Sequence, residues 1–202
     1  MSNKKYFADL GYKYASSQHK FIVKDFQRHA GISADGVIGP VTKGKMAEYG
    51  HSNYCPTVFE PIKPYIIYSN IEIESLMEHK LTGLGATFNI NARINDFDVL
   101  HSIAHAILES NWGTSAIASR KNNLYGFGAY DLSPMVSAKK FTSFAECIQL
   151  WSEWVNENYL EPWGQYYHGN CEKGVNYKYA SSGIAGINKA FIVENLRKQI
   201  GK

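Results

Sequence analysis

Cysteine is scarce in this chain: Cys55, Cys147 and Cys171 are the only three, far apart and without a CxxC pair. That argues against a zinc cluster and a dense disulfide scaffold, and leaves room for one bridge at most. No apolar run is long enough to span a bilayer, so membrane insertion is not expected. The first residues, MSNKKYFADLGYKY, are basic but lack the apolar stretch of a signal peptide. Net charge is small, +3 over 202 residues, which gives no case for nucleic acid as a partner. Proline is sparse too, and three of the six fall between residues 51 and 65.

What remains is the composition of a soluble globular protein, 45% hydrophobic and 19% charged, large enough for one good core and a small extra module. Aromatic residues reach 14%, and rings stack on sugars as well as fill cores. The charge is uneven: residues 1 to 64 carry 9 Lys and Arg against 5 Asp and Glu, while residues 65 to 202 carry 12 against 13. A basic front module would suit an anionic surface, and a solvated basic face would read the same way.

In KFIVKDFQRHAG, residues 20 to 31, Ile22, Phe26, His29 and Ala30 share one face of a short helix that Gly31 can end. Asp35-Gly36 then marks a turn, and Pro40 fits the first position of a second helix. We therefore expect a helical module over residues 1–50, a proline-marked linker or surface-draped segment over 51–65, and a larger domain over 66–202. Helical patterns dominate that domain: IEIESLMEHKL, DFDVLHSIAHAILES, FAECIQLWSEWVNENYL and KAFIVENLRKQI. In the third, Phe144, Ile148, Trp151 and Val155 recur at helical spacing and should face a core. Between the second and third, NNLYGFGAYDLSPMVSAKKF has the punctuation of a small β-hairpin. The expected fold class is mainly α with this one β element.

One glutamate stands out chemically. Cleavage of a glycosidic bond needs a carboxylic acid that stays protonated near neutral pH, and an apolar setting does this by disfavouring the charged form. Glu109 follows Ala104, Ala106, Ile107 and Leu108 near the end of a helix, where the negative end of the dipole also raises a carboxylate's pKa. A second carboxylate could be Asp131 in GAYDLSP or, less readily, Glu146, which the start of the FAEC helix explains by itself. A mechanism assisted by the sugar's own acetamido group needs neither. Tyr125, Phe127 and Tyr130 alternate in a way that would put them on one face of a strand, as an aromatic wall or as packing. Trp112 would brace the turn after Glu109. His101, His105 and Glu109 are spaced to share one side of a helix, but the zincin order His-Glu-x-x-His is absent, so no metal and no other cofactor is expected.

The wording AHAILESNWGTSAIA followed by NNLYGFGAYD, then Tyr179-Ala180, resembles the catalytic signature of glycoside hydrolase family 73, the glucosaminidase domains of bacterial autolysins and phage lysins. Over about residues 66 to 200 the resemblance implies a lysozyme-like α fold with an open groove, Glu109 as general acid, and Tyr179 near the reacting sugar. Asn123, Tyr125, Phe127, Tyr130 and Trp112 are then the expected substrate-side residues, with Asp131 as the candidate second catalytic group. Residues 5 to 50 resemble half of a three-helix peptidoglycan-binding domain through Phe26, Gln27, Gly31, Asp35, Gly36, Gly39 and Thr42. Together these imply a monomeric, phage-type endolysin that cuts peptidoglycan glycan strands after N-acetylglucosamine, held in the host cytoplasm before release to the wall or carried on a virion. The alternatives are a muramidase or lytic transglycosylase of the same superfamily, and a non-catalytic wall-binding or virion structural protein.

Overall fold

The computed structural model describes residues 24, 27, 32–37, 39–42, 56–129, 134–179 and 184–202. From residue 56 on, the described helices are α1 (Asn70–Ser75), α2 (Gly85–Ile94), α3 (Val99–Ser110), α4 (Ala116–Lys121), α5 (Pro134–Ser137), α6 (Phe144–Val155), α7 (Glu172–Tyr179) and α8 (Ile184–Gln199). Short 3-10 turns occupy Pro56–Phe59 and His79–Leu81, and a π-helical turn, Asn156–Leu160, continues α6.

α3 is the axis of the fold. VLHSIAHAILES has apolar or small residues on nearly every side, so it can be stable only when wrapped by other helices, and ten of its twelve residues are buried. Asp98 caps its N-terminus by accepting from Leu100 N at 3.1 Å and also pairs with Arg197 Nη2 at 3.1 Å, which ties the start of α3 to α8. α8 lies along α3, while α2 bridges α3 and α6. Phe88, Ala92, Leu100, Ile103, Ile148, Trp151, Val155, Val193 and Leu196 form one core between these helices. Ile148, Trp151 and Val155 are buried as their spacing implies, with Phe144 packed partly exposed at the edge.

IEIESLMEHKL is not one helix: α1 stops at Ser75, and a 3-10 turn at His79–Leu81 follows. Glu74 explains the break, because its carboxylate accepts from Gly83 N at 2.6 Å and Gly85 N at 2.8 Å, which draws the chain back to begin α2. The segment after residue 56 is draped over the body: Val58 packs on Ala190, and Ile62 N and Lys63 N donate to the Asn170 backbone and side chain. The β-hairpin expected after α4 is not seen, since no strand occurs among the described residues. Gly126 and Gly128, at φ of 70° and 67°, curl this stretch into turns instead.

Candidate active site

The site is built at the C-terminal end of α3. Asn111, Trp112 and Gly113 have φ of 48°, 59° and 76°, three left-handed residues in succession. Glycine adopts this freely and asparagine tolerates it, but tryptophan does so at a cost of roughly 1 kcal/mol or more, a kind of strain that gathers at functional sites. The turn is pinned by Ser110, whose Oγ donates to Ala106 O at 2.5 Å and accepts from Gly113 N at 2.9 Å. Ser115 caps α4 through Ala118 N at 3.3 Å. Both serines of the Glu-Ser-x-Trp-Gly-x-Ser wording are therefore structural: they hold Glu109 on the last turn of α3 while the chain swings away. Trp112 lies partly buried against the core, with its ring 6.4 Å from that of His79.

Glu109 is partly enclosed, its side chain retaining 29% of its exposure. Oε1 lies 3.8 Å from His105 Nε2 one turn back. Gly126 lies on the other side, where an added Cβ would be 3.7 Å from Oε2. Burial raises the carboxyl above its usual pKa, and the positive charge of Lys189 opposes that rise in part. His105 is fully buried; burial and the same Lys189 charge push its pKa well below the ordinary value, so the group facing Glu109 is a neutral imidazole.

Tyr179 closes the site from α7. Its ring centroid is 4.2 Å from that of His105, its hydroxyl donates to Tyr125 O at 2.9 Å, and Trp151 Nε1 donates to that hydroxyl at 3.0 Å. Burial and the nearby Glu109 carboxyl raise the Tyr179 pKa well above the ordinary value, so it stays protonated. In this arrangement its proton is committed to a carbonyl and the free capacity of the oxygen is as an acceptor.

Two of the expected substrate-side residues belong to the interior. Tyr125 is 1% exposed, stacked on Trp151 at 4.3 Å, and its hydroxyl shares a hydrogen bond with Ser102 at 2.9 Å, so it cannot wall a groove. The period-two reading fails because the segment is turned rather than extended. Asn123, 2% exposed, clamps the loop: it accepts from Phe127 N at 3.0 Å and donates to Phe127 O at 2.9 Å and Lys139 O at 3.0 Å. Phe127 remains partly exposed, 5.3 Å from Trp154 between ring centroids. Trp154 in turn contacts Tyr159, Tyr166 and Tyr179, an aromatic series that spacing along the chain did not reveal. Tyr130, Asp131 and Phe26 lie outside the described residues. Glu146 accepts from Thr142 N and Oγ1, both at 2.6 Å, and these bonds hold its pKa down, as its place at a helix start implies.

Gln27, Asp35, Gly36 and Thr42 do come together, but as a clamp. Gln27 Nε2 donates to Asp35 Oδ1 at 2.7 Å and Thr42 Oγ1 at 3.0 Å, while Gln27 Oε1 accepts from Gly36 N at 2.8 Å. Gln27 and Thr42, 1% and 3% exposed, hold this turn from inside, while Asp35 stays exposed on its surface.

Neither described cysteine is set up as a thiolate nucleophile: burial pushes the Cys147 thiol up to about 11 and raises Cys171 as well. Cys55 lies outside the described residues.

Residues 85–191, just over half of the chain, match the family model for glucosaminidase, described as mannosyl-glycoprotein endo-beta-N-acetylglucosaminidase. The chain belongs to the glucosaminidase family. α2 to α8 up to Phe191, with the Glu109 turn and Tyr179, fall inside the matched span. Putative endo-beta-N-acetylglucosaminidases of two strains of Streptococcus pneumoniae are each 37% identical to this glucosaminidase-family chain over 136 residues, or 67% of it. The alignments span only 20% and 19% of those longer relatives. Among solved structures, Autolysin E of S. aureus aligns over 93% of this chain and 95% of its own, with TM-score 0.63 and 19% identity. The same autolysin in complex with the muropeptide NAM-L-Ala-D-iGlu aligns over 77% of this chain and 78% of its own, with TM-score 0.61 and 21% identity. These likenesses establish the fold: a mainly helical body built like that of Autolysin E.

Proposed function

We propose that this chain is an endo-beta-N-acetylglucosaminidase acting on peptidoglycan, with Glu109 as the acid that protonates the leaving oxygen. The observation that carries the reading is the half-enclosed Glu109 carboxyl, raised in pKa by burial and faced by a neutral imidazole and a protonated tyrosine. A carboxyl in that setting holds a proton at a pH where an exposed one has lost it, and gives it up when a developing alkoxide comes within reach. The pneumococcal relatives bear the same activity in their names. The complexes of Autolysin E with NAM-L-Ala-D-iGlu and, as a catalytic mutant, with the disaccharide NAG-NAM support glycan strands as the ligand class.

In this reading the cut falls after N-acetylglucosamine, and the partly exposed rings of Phe127 and Trp154 give the sugar an apolar surface to lie against. Tyr179, with an acceptor position left on its oxygen, orients an N–H of the substrate's acetamido group or the attacking water. Asp131 stays the candidate second carboxylate, with assistance by the acetamido group as the mechanism that needs none. A front module similar to wall-binding domains joined to this body supports a phage-type endolysin.

The deciding experiment is digestion of purified peptidoglycan, borohydride reduction and mass spectrometry of the released ends. Reduced N-acetylglucosamine ends are expected; muramic or anhydromuramic ends would assign the chain to muramidases or lytic transglycosylases, and no new ends to a binding role. Because the acid must be protonated, kcat/KM should fall as pH rises through the elevated pKa of Glu109, with the alkaline limb above the ordinary carboxylate range. A limb at the pKa of an exposed glutamate would remove the burial argument. Tyr179→Phe keeps the ring but loses the bonds to Tyr125 O and Trp151. It should lower the rate by about tenfold, the scale of one or two buried hydrogen bonds, and measurably less than loss of the acid.

A further inference from the structure

Beneath the site, Lys189 of α8 and Glu172 of α7 are 1% and 2% exposed and lie 3.1 Å apart, Nζ to Oε2. The other carboxylate oxygen, Oε1, is 2.7 Å from Nδ1 of His101 on α3. A carboxylate only accepts, so Nδ1 carries the proton. Burial alone would raise the Glu172 pKa, but Lys189 and His101 overcome it and hold the group at about 2, ionised throughout the working range. Such a pair is poor evidence for stability, because desolvating two charges offsets most of their attraction. Its place in the fold is more telling. It joins α7, which carries Tyr179, to α8 and to α3, which carries Glu109, and the ammonium sits 5.6 Å from the Tyr179 ring centroid. His105, one turn beyond His101, is wedged against that same ring and faces Glu109 Oε1.

We propose that the Glu172–Lys189 pair is a positioning device for Glu109, tying α7 and α8 to α3 so that the Tyr179 and His105 rings are fixed around the acid. This rests on the reading of Glu109 as the general acid. Among the described residues, His105 from its own helix lies 3.8 Å from the Glu109 carboxyl, the Tyr179 ring from α7 packs on His105, and behind that ring stand Lys189 from α8 and its partner Glu172. His105 and Tyr179 are uncharged, and of the buried Lys189–Glu172 pair it is the Lys189 charge that acts on the carboxyl. A cation there limits how far burial holds the proton on Glu109. The acid is thus kept able to release it as well as keep it, which general acid catalysis requires.

The test is the paired substitution Lys189→Met with Glu172→Gln in the full chain. It removes both charges together and leaves neither one buried alone. On soluble glycan strands, kcat should fall about tenfold through loss of ring positions while KM stays within about twofold. The alkaline limb of kcat/KM should move to higher pH, because Glu109 without the cation releases its proton later. Lys189→Arg, which keeps the charge, should hold the limb near its wild-type position. A folded double variant with wild-type kcat and an unmoved limb overturns the proposal. Should the double variant not fold, NMR of wild-type protein labelled with 13C-lysine asks the same question. The Lys189 Cε resonance should follow the titration of Glu109 and lose that response in Glu109→Gln, and a flat resonance in the wild type overturns the coupling. Undiminished cleavage by Glu109→Gln is the separate result that removes the acid and, with it, the proposal.

Discussion

Glu109→Gln is expected to lower release of glycan ends by about 100- to 10,000-fold, the usual contribution of a positioned general acid, while the protein stays folded. Gln has nearly the same shape, and the Glu109 side chain sits at a partly open position where a neutral amide replaces a carboxyl already biased toward its neutral form. The contacts that shape the turn, from Ser110 to Ala106 and Gly113, do not involve the Glu109 side chain and should persist. The measurement is the borohydride digest alongside a thermal melt of both proteins. Loss of activity with an unchanged melt supports the acid, whereas cleavage at the wild-type rate would end this mechanism.

Asp98→Ala should be the most damaging single change to stability at the site's far end. Asp98 is 0% exposed, caps α3 through Leu100 N and pairs with Arg197, which also binds Glu60. Truncation removes an N-cap, at about 1 kcal/mol, and one partner of a largely buried charge pair, at roughly 3 kcal/mol, though the remaining Glu60 contact softens the second loss. A total near 3 kcal/mol corresponds to a fall in Tm of roughly 10 °C for a domain of this size. Asp98→Asn, which keeps a capping oxygen, should lose less. A denaturant melt showing a change below about 1 kcal/mol for Asp98→Ala would mean that α3 is anchored by packing alone.

Much of the site was legible in the residues because it is local. The apolar run before Glu109 and the Asn-Trp-Gly turn after it lie within about ten residues of one another, and local chemistry is written in order along the chain; that Ser110 and Ser115 hold the turn is a finding of the structure. Between an aromatic wall and packing, order along the chain could not choose for Tyr125, and the structure chooses packing. Tyr125 and Phe127 alternate on paper, but two glycines at positive φ turn the backbone, and Trp151, 26 positions on, offers Tyr125 a face to stack upon. Asn123 belongs to the family wording yet serves the loop. A motif marks a residue as needed without saying whether it is needed for shape or for chemistry.

The chain by itself determined that the body is mainly helical and that Glu109 lies near the end of a helix behind an apolar run; composition and periodicity are properties of neighbours in sequence. Only the tertiary structure decided what surrounds the carboxyl. Tyr179 stands 70 positions away, Lys189 80, and Glu172 is brought to His101 across 71. None of these pairings has a period or a spacing that could announce it. A lysine and a glutamate read singly are surface residues, and only the docking of α7 and α8 against α3 removes them from water and turns them into a buried charge pair.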